Sequence, residues 1–145
     1  MNLSRFGKVT RVMNGVAAGQ ATNNGTGVDM KGFDAVTFIL LVGDIAGAGT
    51  VTLKAQQGAD NAADWQDLLG TAVAFAAGDD NKVAILEINC PRDRYVRPVV
   101  ITAVGNGVID GVIAIQTKAG TEPVTHDATT VVGSEFHQAP AEGTP

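Results

Sequence analysis

DAVTFILLVG, Asp34 to Gly43, is the stretch that decides the fold. If it is extended, Val36, Phe38, Leu40 and Val42 share one face, and Thr37, Ile39 and Leu41 share the other. Apolar residues on both faces fit a central strand that is covered on each side, or a strand with one face in an interface. The second face is therefore a candidate oligomer contact.

Outward from this strand, GDIAGAGT (43–50) reads as a glycine-rich hairpin loop. It leads into TVTLKAQQ (50–57), where Val51, Leu53 and Ala55 alternate with Thr52, Lys54 and Gln56. GADNAADWQDLLGT reads as a polar turn closed by Trp65, with a helical turn expected between Ala62 and Leu69. TAVAFAAGDDN and KVAILEIN form a second expected hairpin about Gly78, and RPVVITAV and IDGVIAIQTK a third, closed by the tight turn Gly105-Asn106-Gly107. A first strand is expected near Val9 to Met13. Short strands separated by Gly, Asn and Asp, with no long segment of period 3.6, predict seven or eight strands. The expected fold class is all-β: an antiparallel, jelly-roll-like β-sandwich.

Two stretches break this pattern. Gly15 to Gly32, rich in Gly and Asn, is expected to be an extended irregular N-terminal loop. From Gly120 onward, prolines at 123, 140 and 145 and scattered Ser and Thr surround a single apolar knot at Val131-Val132. The domain division is thus a sandwich at 1–119 and an extended tail or arm at 120–145.

Composition narrows the class of function. A net charge of −5 argues against a general nucleic-acid binder, because neutralising phosphate needs a basic surface. No run approaches the roughly 18 apolar residues of a membrane span. Met1 to Val12 carries Arg5, Lys8 and Arg11 without an apolar core, so a signal peptide is not expected and cytoplasmic synthesis is. Cys90 is the single cysteine, so no intrachain disulfide can form, and it is expected to pack as a small buried hydrophobe.

No catalytic pattern emerges. His126 and His137 both lie in the tail without cysteines nearby, and neither Ser4 nor Ser134 sits in a nucleophile elbow. The glycines at 47 and 49 precede a strand where a dinucleotide site needs a helix. Asp60, Asn61, Asp64 and Asp67 offer oxygen ligands but not the spacing of a calcium loop. No catalytic residue, metal or cofactor is assigned.

CPRDRYVRP, Cys90 to Pro98, is more distinctive. Arg92, Arg94 and Arg97 are three of the chain's ten Lys and Arg residues, and they surround Tyr95. Arginine and tyrosine are enriched where proteins bind each other, so this cluster is a candidate contact for an acidic protein surface, against the plainer reading of a solvated strand end. Val131, Val132 and Phe136 are the tail's candidate contacts.

The order GTGVDMKGFDAVTFILLVG, GTVTLKAQQGADNAADWQDL, DNKVAILEI, PRDRYVRPVVITAVGN, IDGVIAIQTK and a tail ending HQAPAEGTP resembles the small structural proteins of tailed bacteriophages that decorate or cement capsids. The resemblance runs from about Val9 to Pro145. It implies a jelly-roll-like sandwich with no enzymatic activity, assembled in the host bacterial cytoplasm and carried on the capsid exterior. The implied partners are the major capsid protein and the chain itself, as a dimer or trimer, with no nucleic acid and no membrane. A carbohydrate-binding or cell-attachment module, or another virion part such as a tail or head-completion protein, is the alternative.

Overall fold

The computed structural model describes residues 2–139 and 141–144, so Pro140 and Pro145 of the expected tail lie outside the described residues. A four-residue helix, α1 (Leu3–Phe6), precedes β1 (Lys8–Met13), β2 (Val16–Asn24) and β3 (Val28–Asp29). Then follow β4 (Phe33–Ile45), β5 (Thr50–Gly58), β6 (Gln66–Asp67), β7 (Val73–Phe75), β8 (Val83–Asn89) and β9 (Tyr95–Ala119). All pairings among them are antiparallel. The fold is an all-β antiparallel sandwich with jelly-roll-like winding.

The register explains the winding. β9 is one 25-residue strand, and β1, β2 and β3 run in succession along one of its edges, from Lys8 opposite Gln116 to Asp29 opposite Tyr95. Along the other edge β4 pairs from Ala119 to Gly107, and β5 continues from Ala103 to Tyr95. β8 flanks β4, while β7 and β6 flank β5. The molecule is thus four long rows, 8–29, 95–119, 33–58 and 66–89, folded together across their middle. One half contains β1, β4, β8 and the C-terminal part of β9; the other contains β5, β6, β7, β3 and the N-terminal part of β9.

The expected hairpins are therefore corrected. β4 and β5 are not partners; the glycine-rich link between them is the bend of one continuous row. Likewise β7 and β8 pair with different strands, and Gly105-Asn106-Gly107 bends β9 without ending it. Close backbone approach at the bend requires glycine: a side chain on Gly105 would strike the Ala46 carbonyl and come within 2.8 Å of the Gly49 nitrogen.

Gly15 to Gly32 is also not an irregular loop. It carries β2 and β3, because β9 supplies a ladder that poor strand propensity cannot outweigh. The buried Thr102 hydroxyl accepts a bond from the Ala21 amide at 2.9 Å where the register shifts. No helix forms between Ala62 and Leu69, where β6 pairs with β5 instead. Nine strand segments stand among the described residues where seven or eight are expected.

The core lies between the two halves. Val36, Phe38, Leu40 and Val42 from β4 meet Val51 and Leu53 from β5, Val96 and Val100 from β9, and Ala84 and Leu86 from β8. Burying each of the larger side chains contributes about 1.5–3 kcal/mol. Gln116 is, beside Thr102, a buried polar residue, and its amide donates to the Asp29 carbonyl at 2.7 Å, so it ties β9 to the end of β3.

Candidate interaction surface

Three surface regions hold the sequence-derived candidates or continue from them. The first is the turn between β8 and β9. Cys90 adopts a positive φ of 50° there, with its amide donating to the Asp34 carbonyl, and it is exposed instead of buried. The tight turn that reverses the chain carries the side chain out of the core.

Arg92 and Arg94 lie in this turn, ahead of β9, while Tyr95 and Arg97 open the strand. Arg94 forms a bidentate pair with Asp29, from Nε to Oδ1 at 2.9 Å and from Nη2 to Oδ2 at 2.7 Å. That pairing, opposed by slight burial and helped by the Lys31 amide, holds the Asp29 carboxyl below the usual carboxylate range and raises the Arg94 guanidinium. The same guanidinium sits 5.2 Å from the centre of the Tyr95 ring.

Arg97 donates from Nε to Gln56 Oε1 at 2.9 Å and lies 4.4 Å from the centre of the Trp65 ring. The indole can reach it because it rests over Gly27, where any side chain would collide with the ring. Two of the three arginines thus serve contacts inside the chain. The guanidinium of Arg92 has no partner among the described residues, although its backbone amide donates to Gln57 Oε1.

The second region is the tail. It contains no strand or helix among the described residues and folds back onto the N-terminus. The Val124 amide donates to the Arg5 carbonyl at 2.8 Å. The Val9 amide donates to His126 Nδ1 at 3.2 Å, and His126 Nε2 lies 3.0 Å from the Ser4 carbonyl. With Nδ1 on the Val9 amide and Nε2 on the Ser4 carbonyl, the imidazole clips β1 to α1. Val131 and Phe136 line a cavity of about 580 Å³ against Leu3 and Val9. Val132 does not join them and projects fully into solvent.

The third region was visible only in part from the sequence. On the outer side of the first half, Ile39 of β4 pairs with Ile113 of β9 and with Ile85 of β8, and Leu41 pairs with Val83. Val9 pairs with Ile115 on the same face. Val83, Ile85 and Leu41 are 55%, 64% and 40% exposed, and Ile39, Ile113 and Ile115 are half-buried beside them, so the β8 side of this aliphatic face is open to water. Ile39 and Leu41 were legible as a second apolar face. The contribution of β8 follows from the alternation Val83, Ile85, Glu87 against Ala84, Leu86, Ile88.

The acidic turn residues act locally. Asp60 accepts from the amides of Ala62 and Ala63, and Asp67 pairs with Lys54 at 2.7 Å and Gln56 at 2.8 Å to pin β6 to β5. No group of three His, Cys, Asp or Glu side chains among the described residues is placed to hold a metal ion. Among the described residues no helix is long and apolar enough to cross a membrane.

No family model matches the chain, and no curated protein matches it. Among solved structures it is similar to the Eiger TNF of S. frugiperda, at 9% identity over 81% of this chain and 99% of that one, with a TM-score of 0.36.

Proposed function

We propose that this chain is a non-enzymatic structural protein of a phage virion, which binds the outside of the major capsid protein shell as a homo-oligomer and stabilises it. The observation that carries the reading is the aliphatic sheet face that runs from Ile113 through Ile39 to Ile85, Leu41 and Val83, whose β8 side an isolated chain leaves in water. Such a face belongs to a protein that works by association. The sequence resemblance to capsid decoration proteins supplies the setting, and a shell that repeats one site many times turns modest contacts into firm attachment.

A glycan-binding role draws less support from the aromatic residues. Trp65 lies over Gly27 beneath Arg97, and Tyr95 stands beside Arg94, so both rings already have partners. Carbohydrate platforms need rings with a free face.

Co-sedimentation with bare tailed-phage capsids tests the proposal. Pelleting in a fixed, high copy number per capsid is the expected result. A few copies per particle would indicate a tail or head-completion part, and no pelleting would overturn the virion reading.

A further inference from the structure

We propose that two copies of this chain meet through the outer face of β1, β9, β4 and β8, with Arg11 of one copy set against Glu87 of the other. The inference names the self-association surface of the proposed oligomer and to that extent rests on that reading.

The argument begins with the register. Val9 and Arg11 of β1 stand opposite Ile115 and Ile113 of β9, which stand opposite Thr37 and Ile39 of β4, which stand opposite Glu87 and Ile85 of β8. Directly paired residues point to the same side of a sheet, so these eight side chains form one grid, bordered at its Val9 corner by Leu3 of α1 and by Val131 and Phe136 of the tail. Its two inner rows are uncharged. Its outer rows carry one charge each, positive on β1 and negative on β8.

Neither charge is used within the chain: Arg11 and Glu87 are exposed, and neither forms an ion pair among the described residues. Turning a second copy about a two-fold axis parallel to the strands lays the β1 row over the β8 row, and the β8 row over the β1 row. Arg11 then comes within one step along the strand of Glu87, a distance an arginine side chain spans. The aliphatic rows meet each other, as the inner faces of a sandwich do.

Opposite charges at opposite rims make the face complementary to itself. A face built for a different partner has no need of that relation, so a second copy is the occupant.

The test is the solution mass of the full chain by light scattering, for the wild type and for Ile85→Lys, Arg11→Glu, Glu87→Arg and the double charge swap. Ile85 is largely exposed, so the lysine leaves the core intact, and circular dichroism checks this. The expected result is a discrete wild-type oligomer that Ile85→Lys weakens by at least about tenfold. Each single charge change should weaken it, and the swap should restore most of the association. A monomeric wild type, or an oligomer indifferent to Ile85→Lys, overturns the proposal. Capsid pelleting is scored separately: a monomer that pellets, and loses pelleting with Ile85→Lys, assigns the face to the capsid and refutes self-association while leaving the decoration reading intact.

Discussion

Arg94 holds Asp29 through two parallel hydrogen bonds, and the Met30 amide donates to the Arg94 carbonyl at 2.8 Å. Side chain and backbone together fasten the end of β3 to the turn that begins β9. Because the pairing lowers the Asp29 carboxyl below its usual value, the pair stabilises the fold fully above the unfolded carboxylate value. That contribution is lost as pH falls through the lower, folded value, in the region below about pH 4. Both side chains are substantially exposed, so the effect is modest. Asp29→Asn should lower the melting temperature at neutral pH and flatten its fall toward acid. Equal acid sensitivity in the variant would show that the pair contributes nothing to it.

The stacking of Arg97 on Trp65 joins β9 to the segment between β5 and β6. Arg97→Ala should lower stability by about 1 kcal/mol and change the tryptophan fluorescence of the folded protein. Urea unfolding followed by circular dichroism separates the two readouts. Unchanged fluorescence would mean that the indole and guanidinium do not meet in solution.

The bend of β9 yields a paired prediction. Val104 is a β-branched residue with φ of 66°, a region it enters at a cost of roughly 1–2 kcal/mol, and its side chain is 72% exposed. Asn tolerates this conformation, so Val104→Asn should raise the melting temperature. Gly105→Val, which drives a side chain against the Ala46 carbonyl and Gly49, should lower it. Opposite signs at adjacent positions are the signature to look for in thermal denaturation; a destabilising Val104→Asn would place the strain elsewhere.

These bends also show where the sequence could and could not be read. The inward sets Val36-Phe38-Leu40-Val42 and Val51-Leu53-Ala55 followed directly from alternation, because a strand's faces are set locally. Gly47, Gly49, Gly105 and Gly107 were read as hairpin turns for an equally local reason. In a rolled sheet the same residues let adjacent long rows crease together, and only the pairing of β4 and β5 with one continuous β9 distinguishes the two. The arginine cluster was legible as a cluster but not in its partners. Asp29 and Trp65 are 65 and 32 positions away in the chain, and no periodicity links them to Arg94 and Arg97.

With Arg94 and Arg97 engaged inside the chain, Arg92 is the arginine of the cluster whose loss isolates a binding role. Arg92→Ser should leave the unfolding free energy within about 0.5 kcal/mol of wild type, as surface substitutions do. On the proposed function it should reduce capsid pelleting, more so at low salt than at high salt. Full pelleting at every ionic strength would return Arg92 to an ordinary solvated side chain.

Among the described residues the tail contributes none to the buried cluster, yet it clips α1 to β1 through His126 and the Val124 amide. A chain ending at residue 119 should therefore keep its cooperative unfolding while freeing the Val9 amide and baring Leu3 and Val9, which Val131 and Phe136 now flank. Hydrogen exchange should show faster exchange at Val9 and little change in β4 or β5. His126→Ala should reproduce the exchange at Val9 with the tail still present, since it removes the acceptor alone. Loss of cooperative unfolding in the truncated chain would make the tail part of the core. Protection at Val9 that survives both changes would show that the clip does not form in solution.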